Sequence, residues 1–218
     1  MKKKLILLLT TVILIGALAV GTTYAFLTDK EAAKNTFTIG NVAIRLDEAP
    51  VVMDEEGNYI ADPDKTKETD RVKTNSYTFF PGQTLFKDPR VTVENGSEKC
   101  WVFIKVEGTE GIREYLTFDI KKDTWQELKD KDGKTVPGVY YQVVAKNEEE
   151  NTYLGILDGD EVSVSEEVTK GKMKALANNL GLKFSAYACQ LNGFYDATKS
   201  AEENAFAAWE EVTTPKEA

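Results

Sequence analysis

The chain has 218 residues, with 27 Lys and Arg against 36 Asp and Glu, a formal net charge of −9 and no histidine. The length suits a leader and one ordinary domain, and the acidic balance excludes a nucleic-acid partner, which would need clustered cations. Without histidine there is no Ser-His or Cys-His nucleophile pair and no H-E-x-x-H zinc site.

The N-terminus comes first. Lys2, Lys3 and Lys4 form a positive flank, and Leu5 to Val20 is apolar apart from Thr10, Thr11 and Gly16. That run of about sixteen residues falls short of the roughly 20 a spanning helix needs. Thr23 and Ala25 are small and stand at the −3 and −1 places of a cleavage site. The layout predicts a secretory signal peptide over residues 1–25, cut between Ala25 and Phe26, with residues 26–218 as one domain. The alternative is an uncleaved anchor. The leader would then be the chain's one membrane contact, since no later segment is apolar enough to span. In an exported chain the even pair Cys100 and Cys189 reads first as a disulfide, against two free buried thiols.

Residues 36–46, "TFTIGNVAIRL", alternate apolar and polar, but the phase slips at Gly40-Asn41. A bulge there would keep Phe37 and Ile39 on the same core as Val42, Ile44 and Leu46. Residues 47–76 are polar and acidic, with turn residues in "DEEGN" and "DPDKTK"; they read as an exposed loop region or a ragged hairpin. Pro81-Gly82 signals a turn, Val91 and Val93 alternate, and Asn95-Gly96 marks a tight connection. Asn95-Gly96-Ser97 also fits the N-glycosylation pattern, although the turn accounts for the same residues.

Next, Cys100, Val102, Ile104 and Val106 make one face of a strand. Trp101 and Phe103 make the other face apolar too, which predicts a central strand. Two further strands bracket "DKDGK", residues 130–134: one with Trp125 and Leu128, the other "GVYYQVVAK". A calcium loop starting at Asp130 would need a bidentate Glu at its twelfth position, where Tyr141 stands, so a turn is the better reading. "TYLGILDGDEVSVSEEV" gives one or two more strands, broken at Asp158-Gly159.

Met173, Leu176, Ala177 and Leu180 follow helical spacing up to Gly181. "LKFSAYACQLNGF" is a strand that ends in a turn at Asn192-Gly193. Ser200 and Glu203 form a capping box, and Ala201, Ala205, Ala208, Trp209 and Val212 line one face of the helix that follows. Seven to nine short strands with turn signals and two short helices predict an all-β, antiparallel sandwich.

No Gly-rich phosphate loop appears, and acidic runs such as Glu148-Glu149-Glu150 read as solvated tips. No catalytic residue, metal ligand or cofactor is assigned. The composition favours a structural or binding protein.

The stretch "GTTYAFLTDKEAAKNTFTIGNVAIRLDE" resembles the leader and first strand of the TasA/camelysin family of Gram-positive secreted proteins. The features that carry the likeness are the small residue before the cut, Phe26 with Asp29, and Asn35-Thr36-Phe37 leading into Ile39-Gly40-Asn41-Val42. "PGQTLFKDPRVTVENGSEKCWVFIKVE" is similar to the family's central segment, and "FSAYACQLNGF" followed by "AFAAW" to its last strand and tail. The resemblance implies a jelly-roll-like sandwich, exported through the signal peptidase SipW to the biofilm matrix or cell surface. In TasA the N-terminal stretch of one subunit completes the sheet of the next. By that likeness Phe26, Leu27 and the residues up to Asn35 are the candidate donor strand, and the partners are further copies or other matrix proteins. Camelysin-type relatives are described as metalloproteases, so a secreted peptidase holding metal through carboxylates is the alternative. A carbohydrate-binding sandwich with Trp125, Tyr140 and Tyr141 as its sugar platform is a third reading.

Overall fold

The structure is a computed structural model, and it describes residues 37–39, 41–78, 80–108, 112–167 and 182–214. The expected leader and its expected cleavage site Ala25/Phe26, the candidate donor strand Phe26 to Asn35 and the expected helix at 173–180 lie outside the described residues. Thirteen strands are described: β1 Phe37–Ile39, β2 Ile44–Asp47, β3 Val51–Met53, β4 Tyr59–Ala61, β5 Thr84–Phe86, β6 Arg90–Val93, β7 Cys100–Gly108, β8 Leu116–Thr117, β9 Gln126–Lys129, β10 Thr135–Val144, β11 Thr152–Gly155, β12 Glu161–Val164 and β13 Leu182–Gln190. One α-helix, α1, spans Ala201–Thr213.

The strands form three sheets, ordered β1-β13-β7-β10-β9, β11-β6-β2 and β3-β4-β5-β12-β8. The molecule is an all-β sandwich. Most pairings are antiparallel, but β1 runs parallel to β13, and β4 meets β5 in a parallel bridge at Tyr59 and Leu85.

The first sheet carries a core on each face. Cys100, Val102 and Ile104 of β7, with Phe184, Ala186 and Ala188 of β13, pack against Ile44, Val91, Val93 and Leu154 of the second sheet and Leu85, Leu116, Val162 and Val164 of the third. Trp101 and Phe103 point the other way. Together with Leu128, Val139, Tyr141 and Cys189 they pack under Ala205, Ala208, Trp209 and Val212 of α1. The apolar–apolar pattern of β7 is thus that of a central strand with a second sheet on one side and a helix on the other. Phe103, Tyr141, Tyr187 and Trp209 are joined by ring contacts, Phe103 lying 5.5 Å and Tyr187 5.1 Å from Trp209 between centroids.

α1 begins at the expected capping box. Ser200 Oγ accepts from the Glu203 backbone N–H, and the Glu203 carboxylate accepts from the Ser200 N–H at 2.8 Å. Donation from the Ser200 backbone N–H, and then from the Ser200 hydroxyl, holds the Glu203 carboxyl below its usual range. Asn204, fully buried, donates to the Asp196 and Ser200 carbonyls and accepts from the Asp196 N–H, tying the preceding loop to the helix.

One expectation is corrected, and for residues 47–76 the hairpin alternative holds in place of the exposed loop. The phase slip at Gly40-Asn41 is not a bulge within one strand: β1 pairs in the first sheet and β2 in the second, so the chain crosses between layers there. The segment 47–76 holds the hairpin β3–β4 and is fastened to the body by buried charge. Asp47 and Glu48 are only 5% and 4% exposed. Arg71 donates through Nε to Asp47 and through Nη1 to Asp88 at 3.0 Å, and Nη2 reaches the carbonyls of both. Lys87 pairs with Glu48 at 2.6 Å, and the other Glu48 oxygen accepts from the Asn75 N–H. Both ends of the segment are therefore stapled to the β5–β6 connection.

Candidate functional site

A binding reading needs unpaired backbone or accessible side chains, and β10 supplies the first. Its register against β7 runs from Val139 to Val144, whereas against β9 it stops at Tyr141, opposite Gln126. Among the described residues, β10 has a strand on one side only from Gln142 onward. Among the described residues β11 pairs with β6 alone and is an edge of the second sheet. The two half-paired strands face a common groove of about 320 Å3, lined by residues 142–147 with Thr152 and Leu154. Val143 on this wall is 41% exposed. The Gln142 side-chain Nε2 is buried without a hydrogen-bond partner, although buried polar atoms are ordinarily satisfied.

Lysine on a strand edge usually discourages edge-to-edge pairing. Here Lys146 is neutralised by Glu98 at 2.7 Å and Glu148 at 2.8 Å, and these bonds raise its pKa. The edge thus offers unpaired backbone, an unused amide and an apolar rim, the features that accept an extended peptide.

The cysteines do not form the expected bridge. Both are free and fully buried. Although β7 and β13 are neighbours, their register sets Cys189 opposite Trp101 and Cys100 opposite Gln190. The one-residue offset puts the two side chains on opposite faces of the sheet, Cys100 in the inter-sheet core and Cys189 under the helix. Burial pushes both thiols up to about 12, with Cys100 and Glu211 adding to the shift at Cys189.

The three aromatics expected as a sugar platform separate. Trp125 is buried and donates its indole N–H to the Gly155 carbonyl at 2.9 Å. Tyr141 is buried beneath the helix. Tyr140 is half-buried and lies against the inter-sheet core. At Asp130 the carboxylate accepts from the backbone N–H groups of Asp132 and Lys134, and the Asp130 N–H bonds the Lys134 carbonyl, closing the β9–β10 turn. Among the described residues no group of three or more Asp, Glu, Cys or His is placed to hold a metal ion, and no helix is long and apolar enough to cross a membrane.

The open edge could not be seen in the sequence, because "GVYYQVVAK" gives no sign of how far its neighbour runs. The buried staple was missed for a similar reason: Asp47 and Arg71 are 24 residues apart inside a stretch whose composition reads as solvated.

Comparison with curated proteins and with solved structures finds no match. A family described as camelysin metallo-endopeptidase matches residues 1–62, from the leader through β4. The two further segments whose sequence resembles the family lie beyond the matched range. The match covers 62 of the 218 residues and makes that stretch similar to the camelysin family.

Proposed function

We propose that this chain is a secreted, non-enzymatic structural protein of the biofilm matrix or cell surface, which assembles with its own copies by strand addition. Cleavage between Ala25 and Phe26 by a SipW-type peptidase frees Phe26 to Asn35, and that stretch is donated to a neighbour. The observation that carries the reading is the half-paired edge of β10 from Gln142 onward, facing the edge of β11 across a shared groove. The family match over the leader and first strands supports export of this type. Tethering to the leader would restrict assembly to the outside of the cell.

The experiment compares mature protein starting at Phe26 with protein starting at Thr36, by light scattering and electron microscopy at rising concentration. The longer form should polymerise and the shorter remain a folded monomer. A longer form that stays monomeric, or a shorter form that polymerises equally well, refutes strand donation.

A second reading, a secreted peptidase with carboxylate-held metal, is favoured by the description of the matched family. Casein cleavage abolished by a chelator and restored by a divalent metal would establish it in place of the first.

A further inference from the structure

A second groove, of about 670 Å3, runs along β9 past Gln126, Glu127 and Lys129 and reaches Tyr140 in the middle of β10. It is independent of the assembly edge and shares no lining residue with it. Its size falls within the range of small-ligand sites. Three supports fix its walls. The Trp125 indole at its base is held by the Gly155 carbonyl. The Arg113 guanidinium lies 3.5 Å over the Phe118 ring and donates to the Phe118 carbonyl. Lys129 of β9 pairs with Glu202 in the first turn of α1 at 3.4 Å, joining the rim to the helix.

The charges of the lining decide the class of ligand. Arg113, Lys122 and Lys129 balance Asp119, Glu127 and Glu202. A polyanion would meet as much repulsion as attraction, and so would a polycation. The side-chain heads of Asp119, Lys122, Gln126 and Glu127 take part in no hydrogen bond or ion pair among the described residues, so the groove holds both acceptors and donors with their capacity unspent. Tyr140 stands among them, directly opposite Glu127 across the β9–β10 pairing. Burial, then the neighbouring Glu127 and Asp119 carboxylates, raise its phenol pKa, so its hydroxyl remains a donor at neutral pH. A half-buried aromatic ring bordered by fixed, mutually balanced donors and acceptors matches a ligand that is uncharged, dense in hydroxyls and apolar on one face.

We propose that this groove binds a neutral oligosaccharide, with Tyr140 as the ring surface and Glu127, Asp119, Gln126 and Lys122 bonding the hydroxyls. The position differs from the platform expected from sequence, since Tyr141 belongs to the opposite face of the sheet and Trp125 acts as a buried support.

The test uses the whole mature protein, titrated by calorimetry with cellohexaose and chitohexaose, with heparin as polyanion control. At least one neutral hexasaccharide should bind saturably with a Kd of about 1 mM or tighter. Glu127→Gln keeps the size and removes the charge of an exposed residue; it should weaken binding about tenfold while leaving the thermal midpoint unchanged. Tyr140→Ala should abolish binding, and Val143→Lys, at the other groove, should leave it intact. The proposal is overturned if neither hexasaccharide binds up to about 10 mM. Heparin binding more tightly than both would also overturn it, as would Glu127→Gln binding as well as the natural protein.

Discussion

Gly138 lies within β10 at φ +69°, where the register against β9 shifts between Thr135 and Tyr140. A Cβ there would sit 2.3 Å from the Val106 carbonyl oxygen of β7. Two penalties therefore fall on one atom: a left-handed backbone, costing about 1–3 kcal/mol, and a clash with main chain that cannot swing aside, of roughly similar size. Gly138→Ala should destabilise the protein by about 3 kcal/mol, lowering the thermal midpoint by roughly 6–12 °C in a domain of this size. An unchanged midpoint would mean that β7 and β10 are spaced more widely than described. The two thiols give the residue scale its pH dependence. An exposed thiol titrates near pH 8.5, whereas Cys100 and Cys189 are pushed up to about 12 by burial. Because the folded values are raised, the stabilisation is complete below about pH 8.5 and is lost as pH climbs towards 12. Tyr140 and Tyr141, also raised chiefly by burial, act in the same direction. Urea midpoints should fall steadily across that window, and the fall should be shallower in the Cys100→Ala/Cys189→Ala double variant.

Among elements, β7 and α1 were legible in the sequence because their signals are local. Alternating apolar residues with aromatics on the second parity specify a strand covered on both sides, and Ser200 with Glu203 specifies a helix start. What depends on pairing register was not legible. Cys100 and Cys189 sit on adjacent strands, yet whether they share a face is decided by a single-residue offset that neither strand's own sequence contains. The split of residues 36–46 between two sheets and the early end of β9 are also properties of neighbours. The staple at the base of the β3–β4 segment is a third case, and it carries its own prediction. Removing one partner of a buried ion pair leaves an uncompensated charge, at a cost of roughly 3–5 kcal/mol. Arg71→Met leaves Asp47 its Arg45 partner at 2.5 Å but takes from Asp88 its one cation among the described residues, and should lower stability by an amount near the low end of that range. Adding Asp88→Asn should recover part of it, because the orphaned charge is then gone. Chemical denaturation of both variants checks this; additive losses would mean that Arg71 and Asp88 do not interact.

At the scale of the whole molecule, the first sheet is shared by two cores of unequal construction. On one face it meets two further sheets through strands from all along the chain. On the other, among the described residues, it is covered by one 13-residue helix, whose buried residues are Asn204, Ala205, Ala208, Trp209 and Val212, and by Leu191 and Phe194 of the turn after β13. Local opening draws on the least supported part of a structure, and here that is the helix layer. The molecule carries one reporter in each core. Cys189 lies beneath α1 with Trp101 and Phe103, and Cys100 faces the other sheets with Val102 and Ile104. Trp209 contacts the rings of Phe103 and Tyr187, so Trp209→Ala removes the helix's largest anchor, a change that costs about 3–5 kcal/mol in a core. In native buffer at pH 8, pulsed iodoacetamide should leave both thiols unmodified in the natural protein. In Trp209→Ala it should label Cys189 well before Cys100, as read by peptide mass. That order would show that the helix lifts while the sandwich beneath stays closed. Equal labelling of both cysteines would mean that the two cores open together, and that the helix is as integral to the fold as the second sheet.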